Sequence, residues 1–325
     1  MSEAPSATIV ATDPEWLELD VEREVLEPLG LSVVRAQGRS PEEVLASAED
    51  AVGVLVQYAA IDDSVLRGLP GLRIVSRYGA GVDSVDLDAA RAHGVWVANV
   101  PDTGTEEVAG HASAMLLGVI RHLPHHDHAI RSGVWDFKTA GSVPRLSELT
   151  LGIVGFGRIG KAVAEGVGHW FGRVVAHDPY AGDADWPSSV ERLGIEELFS
   201  QSNAVTLHLP LGPDTQQLID SSLLDRMPRG SYLVNTARGG LVDPVAVREA
   251  LDSGALAGAG LDVLAPEPPP TDHPLLGHDS VTLSPHAAWY SDQSLIDLRR
   301  AAAQNIARWW QDGEPRRYVV GPTKR

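Results

Sequence analysis

"LGIVGFGRIG", residues 151–160, is the stretch from which the rest of the chain is read. A short apolar run, Leu151–Val154, leads into Gly155, Gly157 and Gly160, spaced G-x-G-x-x-G, at the mouth of the helical stretch "RIGKAVAEGVGHWFG". Alone the glycine pattern is weak, because a chain with 32 glycines produces it by chance. The setting gives it weight: a strand before it, a helix after it, and a second strand, "GRVVAHD" (172–178), ending on Asp178 near the ~20-residue offset of a ribose-binding acid. Glycines let the backbone approach a pyrophosphate, and a helix N-terminus offers N–H groups and a positive dipole end. A carboxylate at Asp178 would accept from ribose hydroxyls and repel a 2′-phosphate, and "HDPY" places no Arg or Lys directly after it. The stretch therefore reads as a dinucleotide site for NAD rather than NADP.

Outward from this point, β-rich runs alternate with helical patterns. "ATIVAT" (7–12), "LSVVRA" (31–36), "VGVLVQ" (52–57), "LRIVSR" (72–77) and "VWVANV" (95–100) form one series of buried strands. "LTLGIVG" (149–155), "GRVVAHD", "AVTLHLP" (204–210), "SYLVNTA" (231–237), "AGAGLDV" (257–263) and "VTLSPH" (281–286) form a second. The helical pattern of "TEEVAGHASAMLLGVIRHL" reads as one long helix, and "LIDLRRAAAQNIARWWQDG" as a last helix able to pack back on the first series. Alternation of this kind implies an α/β chain of two Rossmann-like domains with parallel sheets. The expected division is a flavodoxin-like substrate domain, 1–98 plus 292–325, and an NAD-binding Rossmann domain, 99–291.

Composition narrows the partners. With 26 Lys+Arg against 44 Asp+Glu, the net charge of −18 argues against nucleic acid and anionic membranes. No cysteine is present, which excludes disulfides and thiolate metal sites. No window approaches the roughly 18 apolar residues of a membrane span, and the start resembles no signal peptide, so the expected location is cytoplasmic.

Polar residues gather at the ends of the second-series strands. Arg238 follows "SYLVNTA", Asp262 and Glu267 sit in or after "GLDV", and His286 ends "VTLSPH". Singly, each is explained as a surface, capping or core residue. Together they lie on the sheet edge where ligands bind. Their chemistry suits hydride transfer to a carbonyl. His286 can give or take the proton near neutral pH, Glu267 can orient the imidazole, and Arg238 can hold a carboxylate and polarise the neighbouring carbonyl. The set points to a 2-oxo acid.

"RYGAGVDSVDLDAA", "LGIVGFGRIG", "LVNTARGGLVD", "GLDVLAPEPPP" and "SPHAAW" together resemble the D-isomer-specific 2-hydroxyacid dehydrogenases over nearly the whole length. "NTARGGLVD" with "SPHAAWYSDQS" is most similar to the C-terminal binding protein branch. The resemblance implies Arg238, Glu267 and His286 as the catalytic set and Asp262 as a nicotinamide contact. It implies Arg158 and Ile159 at the pyrophosphate, and Pro210, Thr215 and Ala237 on loops lining the cofactor. In the first domain it implies substrate contacts from Arg77, Tyr78, Gly79 and Ala80, and from Trp289 in the second, where the bland alternative is core filling. It also implies an active site in the interdomain cleft and a homodimer formed through the helix after Pro101. Val108 and Ala80 depart from the branch pattern of threonine and serine, and the branch's long C-terminal tail is missing. Two rivals follow: an NAD(H)-sensing regulator that binds proteins, and a dehydrogenase on the same fold that oxidises phosphite or formate. "RHLPHHDH", with His122, His125, His126 and His128, is not read as a metal site, because Pro124 breaks its register.

Overall fold

The computed structural model describes residues 7–182 and 186–322. The chain divides into two compact units, Met1–Gly104 with Ser291–Arg325, and Thr105–Tyr290. The boundaries expected from the sequence are 98/99 and 291/292.

The first unit begins with β1 (Ala7–Ala11), α1 (Asp20–Leu26), β2 (Leu31–Arg35), α2 (Pro41–Ser47), β3 (Ala51–Val56), α3 (Asp63–Gly68), β4 (Ile74–Arg77), α4 (Leu87–His93) and β5 (Trp96–Ala98). The second unit runs through α5 (Thr105–Ile120), α6 (Leu123–Arg131), β6 (Thr150–Val154), α7 (Arg158–Val167), β7 (Arg173–His177), β8 (Glu191–Arg192), α8 (Ile195–Gln201), β9 (Ala204–Leu207), α9 (Ser221–Leu224), β10 (Ser231–Asn235), α10 (Pro244–Asp252), β11 (Leu256–Leu261) and β12 (Val281–Leu283). The chain then returns to the first unit in α11 (Asp292–Asp312).

Both sheets are parallel throughout. The first has the order β2-β1-β3-β4-β5, the flavodoxin-like arrangement. The second has the order β12-β11-β10-β9-β6-β7-β8. Its central strands read as near-continuous apolar runs because helices cover both faces. Val205, Leu233 and Leu261 pack into the core on one face, and Ile153, Val234 and Tyr232 into that beneath α5 and α7 on the other. Truncating one such residue, Leu233 for instance, would cost about 2–5 kcal/mol.

Local signals set the helix ends. Ser40 and Glu43 form a reciprocal capping box on α2, Asp86 caps α4, and Gly94 closes α4 in the left-handed conformation. The single helix expected over 105–123 is instead two: α5 ends at Ile120, His122 turns the chain at φ 51°, and Pro124 occupies the first turn of α6. No helix among the described residues is long and apolar enough to cross a membrane.

Candidate active site

In the second sheet, β6 lies between β9 and β7, so the chain leaves β6 at the point where strand order reverses. Gly155 makes that exit at φ 89°, and a Cβ on it would lie 2.4 Å from the carbonyl oxygen of His208. Only glycine fits. A Cβ on Gly160 would lie 2.2 Å from the Gly155 oxygen, so α7 packs directly on the turn. Gly157 is the opposite case. It stands at the N-cap of α7 with no side-chain cap, and nothing lies within 4 Å of where its Cβ would be. That open approach to a helix N-terminus fits a dinucleotide pyrophosphate. Arg158 and Ile159 open the helix there, Arg158 exposed and Ile159 half-buried.

Asp178 follows β7 and folds back onto this turn. Its Oδ2 accepts the Phe156 N–H at 2.9 Å, and its Oδ1 accepts those of Tyr180 and Ala181 at 2.8 and 3.1 Å. Arg192, from the edge strand β8, donates to the Asp178 carbonyl at 3.3 Å and stacks over Trp186 at 5.0 Å. A guanidinium therefore does stand near Asp178, brought by folding from 14 residues away.

The polar residues after β10, β11 and β12 converge. His286 Nδ1 and Glu267 Oε2 lie 2.6 Å apart, with both side chains part-exposed. Glu267 Oε1 accepts the Leu264 N–H at 3.2 Å, which fixes the carboxylate's other end. Asn235 holds the Arg238 turn: its Nδ2 donates to the Arg238 carbonyl at 2.8 Å and its Oδ1 accepts the Ala237 N–H at 3.0 Å. The next residue, Gly239, presses on Leu264 and Ala265, where a Cβ would sit 2.1 Å from the Leu264 carbonyl carbon. The arginine turn and the glutamate loop are thus in direct contact.

His286 itself has φ 52°, a left-handed conformation that costs a non-glycine residue energy. Asp262 holds it there. The Asp262 carbonyl accepts the His286 N–H at 2.7 Å, and its carboxylate, 0% exposed, accepts the N–H groups of Ala287 and Ala288, each at 2.9 Å, and the Ser284 hydroxyl. Trp289 follows, edge-on to Tyr290 at 5.8 Å. Thr215 spends its hydroxyl inside its own loop, donating to the Pro210 carbonyl at 2.8 Å and accepting the Gly212 N–H at 2.8 Å.

In the first unit, Arg77, Tyr78, Gly79 and Ala80 leave the end of β4. Gly79 has φ 143°, and a Cβ there would lie 1.7 Å from the Arg77 guanidinium. The N–H groups of Tyr78 and Gly79 are taken by Val56 and Arg77 carbonyls, at 2.8 and 3.0 Å. The Gly79 and Ala80 carbonyls accept from the Val100 N–H at 2.8 Å and from Asn99 Nδ2 at 2.7 Å. In a trans peptide the N–H lies opposite the carbonyl, so the Ala80 N–H faces away from Val100 and the Gly81 N–H away from Asn99.

Sequence reading missed several residues here. His111, on α5, lies 2.9 Å from the Ser284 hydroxyl and 3.6 Å from Asp262, behind the histidine turn. His208 and Thr236 directly follow the neighbouring strands β9 and β10, and His208 Nδ1 and Thr236 Oγ1 are buried with no hydrogen-bond partner among the described residues. Burial holds the His208 imidazole neutral, its pKa pushed down to about 3. A strand end with an odd polar residue was the available signal. No cluster of three or more potential metal ligands is assembled among the described residues.

Residues 113–288 match the family described as D-isomer specific 2-hydroxyacid dehydrogenase, NAD binding domain. The chain is 39% identical over 251 residues to a D-3-phosphoglycerate dehydrogenase of Mycobacterium bovis, covering 77% of this chain and 47% of that one. It is 38% identical over 250 residues to a glyoxylate reductase of Korarchaeum cryptofilum, covering 76% of this chain and 75% of that one. Among solved structures, an NAD-dependent formate dehydrogenase from Staphylococcus aureus in complex with NAD aligns with a TM-score of 0.88 and 29% identity, over 97% of this chain and all of that one. The chain spans about half the length of the D-3-phosphoglycerate dehydrogenases it matches.

Proposed function

The chain belongs to the D-isomer specific 2-hydroxyacid dehydrogenase family, and we propose that it interconverts a small 2-oxo acid and its D-2-hydroxy acid with NAD as the redox partner. The observation that carries this reading is the 2.6 Å pair of His286 and Glu267, on the same sheet edge as the Arg238 turn and the glycine loop.

Gly155, Gly157, Arg158, Ile159 and Gly160 would hold the pyrophosphate, Asp178 the adenosine ribose, and Asp262 with the loops of Pro210, Thr215 and Ala237 the nicotinamide end. Bound there, the cofactor supplies or accepts the hydride. His286 gives a proton to the carbonyl oxygen as it becomes an alcohol, and takes it back in the reverse direction. Glu267 at Nδ1 leaves Nε2 as the nitrogen that carries the transferable proton. Arg238 holds the substrate carboxylate as a planar fork and polarises the adjacent carbonyl. Within the first unit, the N–H groups of Ala80 and Gly81, with Arg77 beside them, would be donors suited to a carboxylate. Trp289 bounds the side-chain end of the substrate.

The substrate class proposed is a short 2-oxo acid such as glyoxylate, which one relative's name carries, rather than a protein partner. The matched relatives bear the names of dehydrogenases and reductases. A homodimer is proposed as well, because Leu123, Ile130, Trp135 and Phe137, directly after α5, are all exposed, Trp135 at 87%. Light scattering on the purified chain tests it. The function is tested by NADH oxidation against glyoxylate, hydroxypyruvate, pyruvate and phenylpyruvate, with His286→Ala alongside. Turnover of one acid that falls by about 10²–10⁴ in the variant, with NADH affinity unchanged, supports the reading. NADH binding with no turnover of any acid would favour the NAD(H)-sensing regulator instead.

A further inference from the structure

We propose that α11, the last helix of the chain, sets the geometry of the loop Arg77–Gly81 through two hydrogen-bonded chains, making Glu22, Arg299, Asn99 and Asn305 positioning residues for the substrate carboxylate. This rests on the reading of that loop as a carboxylate site.

The first chain runs through Tyr78. Its side chain is buried, and its hydroxyl donates to Glu22 Oε1 at 2.9 Å. Glu22, on α1, is 0% exposed, a position no carboxylate holds without compensation. Arg299 of α11 supplies it as a fork, Nε to Oε1 at 3.0 Å and Nη2 to Oε2 at 2.7 Å. Arg299 is fixed in turn by the Glu18 carbonyl at 2.7 Å, by Asp20 at 2.8 Å and by stacking over Trp16, which meets the Tyr78 ring edge-on. Tyr78 is therefore tied at its hydroxyl and packed at its ring.

The second chain runs through Ala80. Its carbonyl accepts from Asn99 Nδ2, and the Asn99 carbonyl accepts from Asn305 Nδ2 of α11 at 3.0 Å. Asn305 is buried, and its Oδ1 accepts the Arg317 N–H at 3.0 Å. Holding the Ala80 carbonyl toward Asn99 is what holds the Gly81 N–H the other way. Without that bond the 80–81 peptide, with glycine on one side, can turn over and present a carbonyl to the carboxylate.

A bland alternative is that these bonds only stabilise the unit, as buried ion pairs sometimes do. Tyr78→Phe separates the two, because it removes one hydroxyl and leaves Glu22 fully paired with Arg299. Asn99→Ala does the same for the second chain. Amide hydrogen exchange over residues 77–81 is expected to quicken at least tenfold in each variant, with the melting temperature nearly unchanged. KM for the best of the four 2-oxo acids named above is expected to rise about three- to tenfold, with kcat within twofold and NADH affinity unchanged. Unchanged exchange at 77–81, or a lowered melting temperature with unchanged KM, overturns the proposal. Arg77→Ala tells its failure from that of the underlying reading. If Arg77→Ala raises KM while the other two do not, the loop binds substrate without these ties. If none of the three moves KM, the loop is not the carboxylate site, and the proposal falls with it.

Discussion

Asp262 holds the His286 turn by backbone and side chain at once: its carbonyl accepts the His286 N–H at 2.7 Å, and its carboxylate accepts the next two N–H groups at 2.9 Å. Its part in the site is thus wider than the nicotinamide contact implied by resemblance. Asp262→Ala leaves two N–H groups and the Ser284 hydroxyl without their acceptor, about 1–3 kcal/mol each where burial persists. His286 is then held at φ 52° by the residue 262 carbonyl without the carboxylate's support of the residues after it. The expected result is a lower melting temperature together with a kcat loss approaching that of His286→Ala. A variant with normal stability and normal kcat would show that the turn holds its shape unaided.

Glu267→Gln keeps a hydrogen-bonding group beside His286 Nδ1 and removes the charge. At 2.6 Å a carboxylate makes a charge-assisted bond, roughly twice as strong as a neutral one. kcat for 2-oxo acid reduction is expected to fall about ten- to a hundredfold, less than in His286→Ala, with the fold unaltered by circular dichroism. Wild-type turnover in Glu267→Gln would remove the carboxylate from the mechanism.

Much of this was legible because its signals are local. The Gly155–Gly160 spacing, the apolar strands and the polar residues just past "NTA", "GLDV" and "VTLSP" all declare themselves within a few residues. What escaped depends on contacts across long separations. Nothing in "DVEREVL" marks Glu22 as buried until Arg299, 277 residues on, is beside it. The two-residue strand β8 has no periodicity to read, so Arg192 could not be placed next to Asp178. The break in the long helix rests on a left-handed His122, a conformation that its residue type does not announce.

Arg192 gives cofactor choice a test. With Asp178 at the ribose, as proposed, its carboxylate would repel a 2′-phosphate, while the guanidinium at its backbone would pair with one once the carboxylate is gone. Asp178→Ser is expected to move the NADPH-to-NADH ratio of kcat/KM upward by about ten- to a hundredfold, the worth of one charged hydrogen bond. Adding Arg192→Ala should reverse most of that gain. A single variant that loses NADH without gaining NADPH would mean that Arg192 does not reach the ribose.

His208 makes the second unit acid-sensitive. Its backbone carbonyl lies against the Gly155 turn, its imidazole is buried with Nε2 2.9 Å from the Thr206 hydroxyl, and its pKa falls from near 6.5 to about 3. The folded protein thus binds fewer protons than the unfolded chain between those values, and stability must drop as pH falls through that window. The contribution is fully present above pH ~6.5 and is lost progressively toward pH ~3. Burial lowers His122 and His273 in the same direction, so the acid limb has more than one source. His208→Gln keeps a partner for Thr206 and cannot titrate. Thermal melts at pH 7 and 4.5 should show a smaller loss for the variant than for wild type, even if the variant starts lower at pH 7. Equal losses would place the acid sensitivity elsewhere, with His122 and His273 next to be replaced.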